Sequence, residues 1–174
     1  MGPRRSPITP PWPCRQAALK QGASEGLTLP ELLISVAIVG LLSAISLPNY
    51  MNSIKATRQK DVANQISTIA TSIGAYREEF LANPSSWDDL SRMSPVITNN
   101  GSAKGNSFTP ITSTNGGHYT IAISNTGNLL SLNGTPVSSG STNWDIKSCL
   151  NTQTGISDLK LGNWNTAAAN PMCT

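Results

Sequence analysis

The sequence predicts an α+β protein in which one long N-terminal helix packs on a small antiparallel β-sheet. Three observations predict it. Residues 27–50 are almost continuously apolar, residues 62–80 repeat apolar side chains at helical spacing, and residues 118–132 alternate in the strand manner around a turn. A chain of 174 residues holds one domain and a short appendage.

Residues 1–26, MGPRRSPITPPWPCRQAALKQGASEG, are rich in proline and carry Arg4, Arg5, Arg15 and Lys20 against Glu25. They read as a targeting or processing segment that takes no part in the fold. The rest of the chain holds eight basic and eight acidic residues, so the whole formal charge of +3 lies ahead of the apolar run. Basic residues cluster on no predicted face, which argues against nucleic-acid binding. Few charges and abundant Ser, Thr, Asn and Gly suit an extracellular domain with polar loops.

Residues 27–50 are long enough for a span. At 1.5 Å per residue, 24 helical residues reach about 36 Å, against a hydrocarbon core of about 30 Å. Charge is absent between Glu31 and Lys55. Pro30 falls in the first turn, where a missing N–H does no harm. Pro48 lies inside the helical pattern and is expected to kink or locally melt it. Glu31 is the anomaly, because an ionised side chain inside a membrane costs on the order of 3 kcal/mol.

The helix continues through residues 51–82 with a different character. Val62, Ile66, Ile69, Ile73, Tyr76 and Phe80 form one apolar stripe, with polar residues on the other faces. Asn83-Pro84 stops it. Residues 83–174 then form the head. Residues 84–117 read as a long exposed loop with a short helical turn at Ser86–Leu90. A hairpin follows: residues 118–124, a turn at 126–128, then residues 129–132. Asn133-Gly134 is expected to be a second turn and residues 144–150 a third strand, with Leu159 and Leu161 as further strand residues. The total is three or four strands.

Cys14 precedes the apolar run, whereas Cys149 and Cys173 follow it. If the run crosses a membrane, Cys14 stays in a reducing compartment and the other two reach an oxidising one. There they pair in one disulfide; two free thiols is the alternative.

Gly26-Leu27-Thr28-Leu29-Pro30-Glu31, followed by a span and an amphipathic continuation, resembles the N-terminus of type IV pilin precursors and of pseudopilins. The resemblance is specific over residues 25–80 and architectural beyond them. Leu27 stands where Phe is commoner, and Pro30 replaces an aliphatic residue. It implies a type IV pilin-like fold and a leader cut between Gly26 and Leu27 by a prepilin peptidase. It also implies N-methylation of Leu27, a helix kink at Pro48 and a terminal region bounded by Cys149 and Cys173. Glu31 of an incoming subunit then meets the Leu27 amine of its neighbour and sets the subunit register. The implied partners are the peptidase, an inner-membrane assembly platform and other pilin subunits. The precursor sits in the inner membrane and its product in an extracellular pilus serving adhesion, motility or DNA uptake.

Two rivals are a type II secretion pseudopilin and a membrane-anchored extracytoplasmic binding domain that never polymerises. A plain signal anchor leaves Gly26–Glu31 unexplained, and a secretory cut after Ala44-Ile45-Ser46 leaves Glu31 unexplained. No catalytic set is expected: His118 reads as a surface residue, Asp88-Asp89 as a solvated helix start rather than a metal site, and no cofactor is implied. Asn100 and Asn133 have glycan-acceptor spacing but read as turn residues. Lys55, Arg58 and Lys60 flank the span, facing lipid headgroups, neighbouring subunits or solvent.

Overall fold

The computed structural model describes residues 26–114, 116–138 and 143–174. The expected leader and Cys14 lie outside the described residues, apart from Gly26. The described residues divide into two units, 26–41 and Leu42–Thr174.

Helix α1 runs Leu29–Phe80, 52 residues. Pro48 lies inside it without interrupting it, so the expected local melting is absent. Proline removes one rung, and the hydrogen bonds on either side carry the helix past it. Polar side chains along the helix satisfy themselves locally. The Ser53, Thr57, Ser67, Thr68, Thr71 and Ser72 hydroxyls each donate to the carbonyl four residues back.

Within Leu42–Thr174 the stripe Val62, Ile66, Ile69, Ile73 and Tyr76 is buried. Phe80 departs from expectation: it is 43% exposed and only stacks its ring on Tyr76, 4.5 Å between centroids. The chain turns there, with Leu81 at φ 53° and its N–H bonded to the Arg77 carbonyl. Arg77 Nη1 then reaches Asn83 Oδ1 at 2.7 Å and Thr152 Oγ1 at 3.2 Å, tying the helix end to the sheet.

The following segment is less open than its composition suggested. Helix α2, Trp87–Ser91, is capped by the Ser86 hydroxyl accepting from the Asp89 N–H. Trp87 and Leu90 are fully buried; the Trp87 indole donates to the Thr109 carbonyl at 2.8 Å and meets Phe108 edge-on. Strands β1 (Ile97–Thr98) and β2 (Gly101–Ser102) form a small hairpin. One buried Trp thus anchors a stretch that has almost no apolar periodicity.

The main sheet has five antiparallel strands in sequence order: β3 (Ile111–Thr112), β4 (Tyr119–Thr126), β5 (Leu129–Pro136), β6 (Ile146–Asn151) and β7 (Ser157–Leu161). The expectation of three or four strands misses one because two-residue β3 carries no readable period. β4 and β5 turn through Gly127, at φ 65°. Their core-facing residues alternate: Tyr119, Ile121 and Ile123 on β4, Leu130 and Leu132 on β5. Asn133-Gly134 is not a turn but the middle of β5, paired with Ala122 and Ile121. A Cβ on Gly134 would stand 3.2 Å from Ile66 Cδ1, so the glycine serves the helix–sheet approach instead.

Cys149 on β6 and Cys173 are disulfide-bonded, 24 residues apart. Closing that loop stabilises the fold by about 3 kcal/mol in the chain-entropy model. The C-terminal segment is also held by Asp158, whose Oδ2 accepts from the Met172 N–H at 2.9 Å. That bond, with help from Lys160, holds the Asp158 carboxyl below its ordinary range.

Tyr119 supplies a pH test. Burial pushes its phenol up to about 12, the Asp145 charge adds to this, and Arg58 opposes it. The folded state favours the neutral phenol. Its contribution is therefore complete below pH 10 and is lost as pH rises from 10 through about 12. Tyr119→Phe is expected to cost about 1 kcal/mol at neutral pH, through the lost bond to the Trp144 carbonyl at 2.9 Å. The same variant is expected to lose stability less steeply between pH 10 and 12 than the parent. Denaturant midpoints across that range check it; parallel curves for the two proteins contradict the assignment.

Candidate functional site

Two regions hold the residues with chemistry, one at the start of α1 and one in the second unit.

In the first unit, Gly26 and Leu27 precede the helix, and Leu27 is 77% exposed. Thr28 takes the N-cap position: its carbonyl accepts the Leu32 N–H. Glu31 stands in the first turn, and its Oε2 accepts from both the Thr28 N–H and the Thr28 hydroxyl, each at 2.8 Å. This is the reach-back half of a capping box. The Ser35 hydroxyl donates to the Glu31 carbonyl. A carboxylate at the mouth of an apolar helix therefore has a partner within its own turn. A glutamine would supply the same acceptor.

Downstream, the large aliphatic residues from Leu32 to Leu47 are all more than half exposed. By length and composition this helix suffices to cross a membrane, and none of its most apolar stretch is buried. An uncovered apolar surface of this kind needs lipid or other apolar helices around it. Ala44, Ile45 and Ser46 lie within it as helical residues.

In the second unit, a polar knot ties α1 to the ends of β6 and β7. Gln59 is buried, and its Nε2 donates to the carbonyls of Gly162 at 2.8 Å and Asp145 at 3.1 Å. The Gly162 N–H donates to the Asp145 carbonyl, and Asp145 Oδ1 accepts from the Ala168 N–H at 2.7 Å. Sequence reasoning missed Gln59. The signal was present, since Gln59 continues the Val62–Ile66 stripe one turn earlier as a polar residue on an apolar face.

Beside this knot lies an open cleft of about 340 Å³ lined by Lys55, Arg58, His118, Tyr119, Val137 and Trp144, among others. It gathers two of the three cations that flank the apolar run. Lys60 does not line it. His118 is half-buried there rather than freely exposed.

The remaining sequence candidates are accounted for locally. Asp89 accepts from the Ser85 N–H and hydroxyl, which holds its carboxyl below the ordinary range, and Asp88 accepts from the Gly105 N–H. Among the described residues, no group of three or more His, Cys, Asp or Glu is placed to hold a metal. Asn100 is exposed between β1 and β2, whereas Asn133 is half-buried in β5.

Over 53 residues the chain is 38% identical to the type IV major alpha-pilin of Moraxella bovis, and equally to fimbrial protein Q of the same organism. The matched stretch covers 30% of this chain and 33% and 34% of those proteins, so the chain spans about a third of the length of the curated relatives it matches. No family model matches the chain. No solved structure matches it.

Proposed function

We propose that the chain is a type IV pilin-like structural subunit, major or minor, of an extracellular filament. The observation that carries this is the single helix α1, whose first half exposes an almost continuously apolar surface headed by Glu31 and whose second half buries one stripe against a sheet. Similarity to two fimbrial proteins supports it. Such a helix changes solvent without refolding: lipid surrounds it before assembly and other helices surround it afterwards.

The proposed sequence of events begins with a prepilin peptidase cutting after Gly26. The cut frees an amine on Leu27, which is methylated and remains cationic. Within one chain Glu31 is satisfied by Thr28. In a bundle of helices an assembly platform delivers the next subunit, and Glu31 of that subunit pairs with the Leu27 ammonium of its neighbour. Neither charge is then left alone in an apolar setting, and the pairing sets register.

Isolation of the cell-surface fibre, with sequencing of its subunits, tests the proposal. The expected result is this chain beginning at methylated Leu27. Finding the natural chain in the membrane with residues 1–26 attached, and never in a fibre, would overturn it in favour of an anchored binding domain.

A further inference from the structure

The geometry points to the cleft at Lys55, Arg58 and His118 as a binding site for an anionic phosphate ester, presented as a lipid headgroup. This rests on the membrane-anchored reading of α1 proposed above.

Depth along the helix is the first argument. Tyr50 and Met51, both exposed, mark the end of the apolar surface in the second unit. Tyr at that position suits the membrane–water interface. Lys55 follows Tyr50 by five residues and Arg58 by eight, about 8 and 12 Å along the axis. The headgroup layer extends about 5–8 Å beyond the hydrocarbon on each side, and Lys and Arg side chains reach back several ångströms more.

The composition of the lining is the second. Lys55, Arg58 and His118 present nitrogen donors to the cleft, and none of the described residues lining it is a carboxylate. Asp145, beside Trp144, spends an oxygen on the Ala168 N–H, and Asp61 lies one turn beyond Arg58 on α1. Tyr119 and Trp144 form an apolar wall, with the Tyr119 hydroxyl already donating to the Trp144 carbonyl. Val137, 61% exposed, borders the opening. A cationic floor with an aromatic and aliphatic rim matches a phosphate attached to a glycerol backbone better than a bare ion.

The test uses the full chain in neutral detergent, followed by amide resonances of Gly116, Gly117 and His118 and the Arg58 side-chain resonance. Lysophosphatidylglycerol is expected to shift them saturably and lysophosphatidylcholine not to. Lys55→Gln/Arg58→Gln is expected to weaken this by tenfold or more, at roughly 1 kcal/mol per cation near an anionic surface. Lys60→Gln is expected to leave it within twofold. Lys55→Gln alone is read if the pair compromises folding. Inorganic phosphate saturating the same resonances as tightly as the lipid keeps the site but makes its ligand a soluble phosphate. No saturable response to either, or an unchanged response in the variants, overturns the site. Flotation with neutral phosphatidylcholine vesicles separates the two readings. A chain that does not float fails as a membrane protein, whereas one that floats with a silent cleft fails only here.

Discussion

Glu31→Gln is expected to leave the folded head unchanged and to remove the chain from filaments almost completely. The choice of glutamine follows from the first turn of α1. Glu31 accepts two hydrogen bonds from Thr28, and a glutamine carbonyl accepts the same two, more weakly because it is uncharged. The variant therefore keeps the acceptor that caps the helix start and deletes the charge, at a cost to the cap of well under the loss from Glu31→Ala. If Glu31 were simply a capping residue, Glu31→Gln would be silent. If its charge neutralises the Leu27 ammonium of a neighbour, the variant strands that ammonium among apolar helices. Breaking a buried pair from one side costs roughly 3–5 kcal/mol. Each subunit addition should then be disfavoured by roughly a hundredfold or more. Sheared surface fractions, immunoblotted for the chain, measure the yield; circular dichroism of purified protein checks the head. Wild-type fibre yield from Glu31→Gln would remove the electrostatic account of assembly. Glu31→Ala is a poorer test, because it deletes the cap and the charge together.

Gly162→Ala is expected to destabilise the head by on the order of 4 kcal/mol or more, which consumes most of the stability of a typical small domain. The cause is not conformational freedom. A Cβ built at Gly162 overlaps the Asn143 carbonyl oxygen and stands 2.6 Å from Asp145 Oδ1 and 2.9 Å from the Ala168 backbone nitrogen. Two of these neighbours hold each other in place. The Ala168 N–H is bonded to Asp145, and Gly162 itself donates to the Asp145 carbonyl and accepts from buried Gln59. Relieving the overlap breaks at least one bond of this knot and unseats the start of the amphipathic half of α1 from the sheet. Buried polar networks lose heavily when partly satisfied. Urea unfolding of the head measures the loss. A cost below about 1 kcal/mol would mean that the segment after β7 relaxes freely and the knot is not rigid. Gly155→Ala, whose Cβ meets nothing within 4 Å but whose φ is 75°, provides the comparison: about 1 kcal/mol from backbone strain alone.

Periodic segments were legible in the chain, and singular ones were not. The stripe from Val62 to Tyr76 repeats every three or four residues, so its helix and its buried face follow from spacing alone. The alternation from Tyr119 onward shows its strand in the same way. Asn133-Gly134 misled because turn chemistry and a close helix–sheet approach both call for glycine, and only the position of Ile66 distinguishes them. Phe80 fits the stripe but lies where the chain leaves the sheet, and a period carries no information about where its partner surface ends. Trp87 gave no pattern because a single large side chain anchors that loop.

Local residue order is enough to specify the long helix with its apolar and amphipathic halves, the α+β class, the central hairpin and the anomalous carboxylate at Glu31. Each is written in the order of neighbouring residues, where local sterics and hydrophobic spacing act. The five-strand order, the Gln59–Asp145–Gly162 knot and the gathering of Lys55 and Arg58 with His118, Tyr119 and Trp144 emerge only once the chain is folded. Those join residues up to about a hundred positions apart, and which distant groups meet depends on how the whole core closes.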